Sequence, residues 1–211
     1  MRTAKSEMSD LAKNSRHRLP LTCLLVLAAC TPAAAAPAIV AACKSCHAED
    51  GSGVGNTVVP IIAGMPAVHL EEALYAYKDG ARQCLDEPVM CDTAELLTDE
   101  NIADLAEHYA AIPRPSLDET TDDELAAIGE PVHRKLCARC HVPPDDPDVA
   151  DVLGPPLHGQ RADYLRYALE AYLSGTRENL LDEMKEKISL LDEGDVEALA
   201  NYYGSYSPDR P

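Results

Sequence analysis

Phenylalanine and tryptophan are both absent from the 211 residues, and nine tyrosines are the only aromatics. The large rings that normally fill a core are missing, so something else must occupy the interior. Basic residues are scarce: 18 Lys and Arg face 36 Asp and Glu, a formal charge of −18. That sign excludes a phosphate-backbone binder, and no nucleic-acid partner is expected. Long apolar runs are missing too, since the most apolar stretch, Leu19 to Ala29, falls well short of the ~20 residues a bilayer span needs. Yet 46% of the residues are hydrophobic, which suits one or two globular domains rather than disorder.

Arg2, Lys5, Lys13, Arg16 and Arg18 make a basic leader ahead of that apolar stretch, so residues 1–29 read as a secretory signal peptide. Leu27, Ala28, Ala29 and Cys30 resemble a bacterial lipobox, which implies a lipid on Cys30 and a periplasmic protein held at a membrane. The rival is ordinary cleavage among the small residues Ala34 to Ala36, which would release a soluble periplasmic chain without Cys30. Five basic and two acidic residues leave with the leader, so the remainder carries −21.

The remainder is an internal duplication. Cys43-Lys-Ser-Cys46-His47 and Cys137-Ala-Arg-Cys140-His141 are two copies of C-x-x-C-H, 94 residues apart. Met90 and Met184, Leu97 and Leu191, Leu105 and Leu199, and Tyr109 and Tyr203 keep the same offset. Gly64, Leu70, Tyr77, Gly80 and Arg82 recur 95 residues on as Gly159, Leu165, Tyr172, Gly175 and Arg177. Proline and acidic residues mark 112–123 as the linker between a first domain, 37–111, and a second, 124–205.

Apolar residues recur at three- and four-residue intervals with little alternation, so the expected class is all-α. In the first half the pattern predicts helices at Ile39–His47, Ala67–Lys78 and Ile102–Ala111, the last opened by Thr98 and Asn101, with Met90 on an intervening loop. In the second it predicts Glu130–His141, Ala162–Leu173 and Glu193–Tyr203, preceded by a separate short helix over Asp123–Ile128.

Two cysteines three residues apart lie on one side of a helical turn, placed to form thioethers with both vinyl groups of one porphyrin while the adjacent histidine meets the iron. Two covalently bound haem c groups are therefore expected, with His47 and His141 as proximal ligands. A methionine thioether on the opposite face stabilises ferrous iron, and Met90 and Met184, each 43 residues after its histidine, are the candidates. Met65 is set aside because its counterpart is Gln160. Zinc ribbons place their cysteine pairs far closer together than these, and a redox dithiol leaves the repeated histidine and the equal His-to-Met spacing unexplained. His69, His108 and His158 read as surface or supporting residues rather than ligands.

With these motifs the chain resembles the cytochrome c4 family of dihaem class I cytochromes, including the related dihaem subunit of flavocytochrome c sulfide dehydrogenase. The likeness covers about residues 37–205, through both C-x-x-C-H motifs, the loops Val58–Gly64 and Gly154–Gly159, the helices ending near Gly80 and Gly175, and both methionines. It implies that the carbonyls of Pro60 and Pro155 accept the proximal His N–H, and that Arg82 and Arg177 meet haem propionates; the other reading of these arginines is helix-end charge in solvent. Cys84 and Cys91 have no counterparts. In an oxidising compartment they can close a small disulfide loop around Met90, or Cys91 can compete with Met90 as a thiolate ligand.

The expected function is single-electron transfer with no substrate chemistry, because two filled axial positions leave no open site on iron. Residues 37–115 and 116–211 carry −9 and −12, which favours donor and acceptor proteins with basic docking rims, or simply reflects solvation in a salty medium. The alternatives are an electron-accepting subunit paired with a sulfide-oxidising flavoprotein, and a five-coordinate haem enzyme or gas sensor.

Overall fold

The computed structural model describes residues 38–53, 58–84, 88–116, 119–149 and 151–207, all within the compact unit Ala35–Pro211. The predicted signal peptide and Cys30 lie outside the described residues. Eight α-helices and no strand are present among the described residues: α1 (Val40–His47), α2 (Ala67–Lys78), α3 (Val89–Glu95) and α4 (Asp99–Ala110), then α5 (Asp123–Leu136), α6 (Ala162–Ser174), α7 (Asp182–Ile188) and α8 (Asp195–Gly204). The class is all-α, and the second four helices repeat the plan of the first.

Local chemistry sets the helix starts. Thr98 accepts from the Asn101 N–H at 3.1 Å while the Asn101 side chain accepts from the Thr98 N–H at 3.3 Å, a reciprocal cap that opens α4. Asp122 caps α5 by accepting from Glu124 and Leu125 at 2.8 and 3.1 Å.

Three expectations need correction. Met90 sits in the first turn of α3 rather than on a loop, and Met184 holds the matching place in α7. The separate helix over Asp123–Ile128 does not exist: α5 runs on through Gly129 and Pro131. Proline removes one ladder bond and normally breaks a helix, but the packing of α5 on α8 carries it across. That same helix stops at Leu136, short of the predicted His141, so the second C-x-x-C-H lies in a turn whereas the first lies inside α1.

The interior is aliphatic with one deep tyrosine per half. Val40, Leu97, Ile102, Leu105 and Tyr109 form the first cluster, and Leu165, Leu199, Ala200 and Tyr203 the second. Tyr109 and Tyr203 are 3% and 1% exposed, taking the place that larger rings fill elsewhere.

The halves meet through backbone and side-chain bonds. Arg82 and Arg177 form an antiparallel bridge in which Gln83 N–H donates to Thr176 O at 2.9 Å and Glu178 N–H to Ala81 O at 2.7 Å. Donors and acceptors exchange under the repeat offset, so this contact is a local twofold. Arg161 clamps the carbonyls of Ser52 and Gly53 at 2.9 and 3.1 Å. Two residues of segment 112–123 bond to the second half: Glu119 accepts from Ala162 N–H at 2.9 Å, and Asp122 N–H donates to Asn201 at 2.8 Å.

At the crossing of α5 and α8 a Cβ on Gly129 would collide with the Ala198 carbonyl. Gly129→Ala is expected to cost about 1–3 kcal/mol, read as a lower denaturation midpoint of the holoprotein; an unchanged midpoint would show that the crossing yields.

Candidate haem sites

Each half brings an imidazole onto a proline carbonyl. α1 ends at His47, whose Nδ1 lies 3.2 Å from Pro60 O, and the turn after α5 ends at His141, whose Nδ1 lies 2.8 Å from Pro155 O. A carbonyl accepts only, so Nδ1 carries the proton and Nε2 keeps its lone pair. No described residue hydrogen-bonds to either Nε2. Burial lowers the pKa of both rings, while the proline carbonyls pull the other way, and the net effect holds them as neutral imidazoles. Gly154 makes room for the second ring, because a Cβ there would run into the His141 imidazole.

Cys43, Cys46, Cys137 and Cys140 are unbonded thiols. Burial raises the Cys43 and Cys137 pKa values, so these thiols stay protonated. Tyr109 and Tyr203 stand beside them from α4 and α8. Cys84 and Cys91 are joined by a disulfide with a Cα–Cα distance of 6.0 Å, which ties the first turn of α3 to the segment after α2. Met90 is half-buried with Ala94 buried one turn on, and Met184 and Ile188 are the half-buried residues of an otherwise exposed α7. The sulfurs thus sit on the inward side of two short helices at matching places.

Arg82 and Arg177 each lie over the tyrosine of their own half, 5.2 Å from the Tyr77 ring and 4.6 Å from Tyr172. Two guanidinium groups come together where the halves meet, and neither has a carboxylate partner among the described residues. The Arg177 Nε is buried without a hydrogen-bond partner. Burial works against its charge, but Tyr164, Tyr172 and Tyr77 outweigh this and raise its pKa. Buried cations are normally paired; here the groups beside Arg177 are the tyrosines Tyr164 and Tyr172 rather than carboxylates.

No protein-family model matches the chain. It is 30% identical over 185 residues to a thiosulfate dehydrogenase electron acceptor from Stutzerimonas stutzeri, covering 83% of each chain. Its fold superposes on a solved cytochrome c4 from Acidithiobacillus ferrooxidans with a TM-score of 0.65 at 25% identity, over 79% of this chain and 99% of that one. A thiosulfate dehydrogenase (TsdBA) structure from Marichromatium purpuratum matches with a TM-score of 0.63 at 28% identity, over 77% of this chain but only 36% of that longer one.

The chain belongs to the cytochrome c4 family. It is a dihaem electron carrier with two covalently bound haem c groups, an electron-transfer protein rather than an enzyme. The residues present fit this cofactor: free thiol pairs, imidazoles with an open Nε2, glycine under the second ring, and two arginines with no carboxylate partner among the described residues.

One feature of this cytochrome was not legible in its sequence. His133 and His158 are buried edge to face, ring centroids 4.9 Å apart, within a shell of Tyr202, Tyr203 and Tyr206. His133 meets Tyr203 OH at 2.9 Å, and Tyr206 donates to Asp145. His158 and His69 are buried and His108 is half-buried, so all three have supporting rather than surface positions. His133 signalled nothing locally, because its partners lie 25 to 70 residues away.

Burial is the first cause that pushes both His133 and His158 down to about 4. Histidines of the unfolded chain titrate near 6.5, so between these values the unfolded state binds more protons. Stability is full above about pH 6.5 and falls as pH drops toward about 4. Denaturation of the holoprotein at pH 7.5 and pH 5 should give a lower midpoint at pH 5, with a smaller loss in His158→Gln; equal losses in both proteins would contradict this.

Proposed function

We propose that the chain is exported to the periplasm, with 37–111 and 124–205 as its two haem domains joined by 112–123, and carries single electrons between soluble or membrane-bound redox proteins. Cys43 and Cys46 hold one haem by thioether bonds and Cys137 and Cys140 the other. His47 and His141 are the proximal ligands, Met90 and Met184 the distal ones, and Arg82 and Arg177 neutralise propionates. The observation that carries this reading is the pair of equivalent imidazoles, each with Nδ1 committed to a proline carbonyl and Nε2 free.

Haem iron supplies a one-electron exchange between ferric and ferrous states. The chain does the rest. The proline carbonyls fix ring orientation and make each imidazole a stronger donor. Met90 and Met184, half-buried on α3 and α7, would supply the second ligand to each iron and so exclude dioxygen or peroxide. The disulfide restrains the Met90 helix, which keeps Cys91 from competing for iron.

For partners, the acidity of both halves favours proteins with basic docking rims and salt-sensitive association. The name of the Stutzerimonas relative supports a thiosulfate dehydrogenase as electron donor. Cys30 is the proposed lipid attachment site that would hold the chain at a membrane surface.

An optical redox titration of the holoprotein tests the ligand sets. Two one-electron waves are expected, and Met184→Ala should abolish the weak sulfur-to-iron band of one centre and lower its potential, with Met90→Ala doing the same to the other. An unaltered spectrum in either variant, or carbon monoxide binding by the reduced wild type at neutral pH, would overturn the reading.

The paired change Cys84→Ser and Cys91→Ser should cost about 2 kcal/mol for so short a loop and weaken the sulfur band of the first centre only. Loss at the second centre instead would contradict the role given to the disulfide.

A further inference from the structure

Gln160 belongs to the second half, yet its side chain serves the first. It is 4% exposed. Its Oε1 accepts from the Ile61 N–H at 2.8 Å, and its Nε2 donates to the Ile61 carbonyl at 2.9 Å. The Ile61 N–H belongs to the same peptide unit as the Pro60 carbonyl, because a peptide plane joins one residue's C=O to the next residue's N–H. That carbonyl is the acceptor for His47 Nδ1. One peptide unit is therefore gripped at both ends, by Gln160 at its N–H and by the proximal imidazole at its oxygen.

Hydrogen bonds in series polarise one another. An acceptor on the Ile61 N–H shifts electron density toward the Pro60 oxygen, which strengthens the bond from His47. A histidine whose outer N–H is more strongly bonded is a more basic ligand, and a more basic ligand favours ferric iron. The Pro60 contact is the longer of the two, 3.2 Å against 2.8 Å, so the support falls on the weaker bond.

The second half cannot copy this device. Pro156 follows Pro155, and proline has no N–H to donate. The residue matching Gln160 in the first half is Met65, whose sulfur contacts Arg114.

We propose that Gln160 is a positioning residue for His47, acting through the Pro60–Ile61 peptide, and that it lowers the potential of the first haem alone. The proposal rests on His47 being that haem's proximal ligand. It makes the first centre's potential depend on the docking of the second half, a coupling carried by a residue 99 positions from the one it binds.

The test is a redox titration of holoprotein carrying Gln160→Met or Gln160→Glu, alongside the wild type and His47→Ala. Methionine keeps the volume but removes the acceptor, and should favour reduction of one centre by up to about tenfold, about 59 mV for one electron, with faster exchange of the His47 Nδ1 proton by NMR. Glutamate keeps an acceptor at Ile61 and should hold that centre at or below its wild-type potential. The second wave should stay fixed in both variants. Unmoved waves, waves moving together, or equal upward shifts in both variants would overturn the proposal, the last because lost packing alone does not distinguish an acceptor from a thioether. Failure of the ligand assignment would look different: His47→Ala would retain two unaltered waves, whereas failure of the Gln160 proposal leaves that variant's first centre lost.

Discussion

A backbone carbonyl fixes each imidazole. With Nδ1 donating to Pro60 or Pro155, the bond favours the tautomer and ring orientation that leave Nε2 with its lone pair free. Much of the local structure serves this bond. The Gly51 carbonyl receives Ile62 N–H at 2.9 Å and Ala63 N–H at 3.3 Å, which holds the Pro60 loop in place. In the second half Gly154 N–H donates to Cys140 O at 3.1 Å, drawing the Pro155 loop against the turn that bears the thiols. The aliphatic clusters, each with a deep tyrosine, then fasten the terminal helices behind these loops.

The second constraint is charge at the junction of the halves. Arg82 and Arg177 are brought together by main-chain bonds, so their approach is set by the fold and does not depend on attraction between side chains. Such a pair is costly without anions. Under the proposed assignment haem propionates would meet these two cations, which would link cofactor binding to the association of the two halves. Arg114 adds a third cation, contacting the Met65 sulfur at 2.9 Å and the His158 carbonyl, with burial lowering its pKa to about 10.

The sequence carried what repeats. Two C-x-x-C-H motifs, the matched methionines and the recurrent tyrosines stated a duplication, because any physical requirement of one half is written twice, and apolar residues at three- and four-residue intervals stated its all-α class. Thr98 with Asn101 announced the start of α4 through capping chemistry alone. The misses have physical reasons. Seven residues make under two turns, so α3 and α7 show no periodicity, and both methionines read as loop residues. Gly129 and Pro131 are local helix breakers, and only the close crossing with α8, which no nearby residue reports, explains why α5 continues. Gln160 served to set Met65 aside but gave no hint of its own partner, since a bond to Ile61 leaves no mark on the neighbours of either residue. The His133–His158 pair was invisible for the same reason.

The central claim is that each half binds one haem through its own cysteine pair. Proteolysis of the purified mature protein followed by mass spectrometry of the haem-bearing peptides tests it most directly. The account predicts two haem peptides, one containing Cys43 and Cys46 and the other Cys137 and Cys140, in equal amounts. A single haem peptide, or haem released intact by acidified organic solvent, would contradict it.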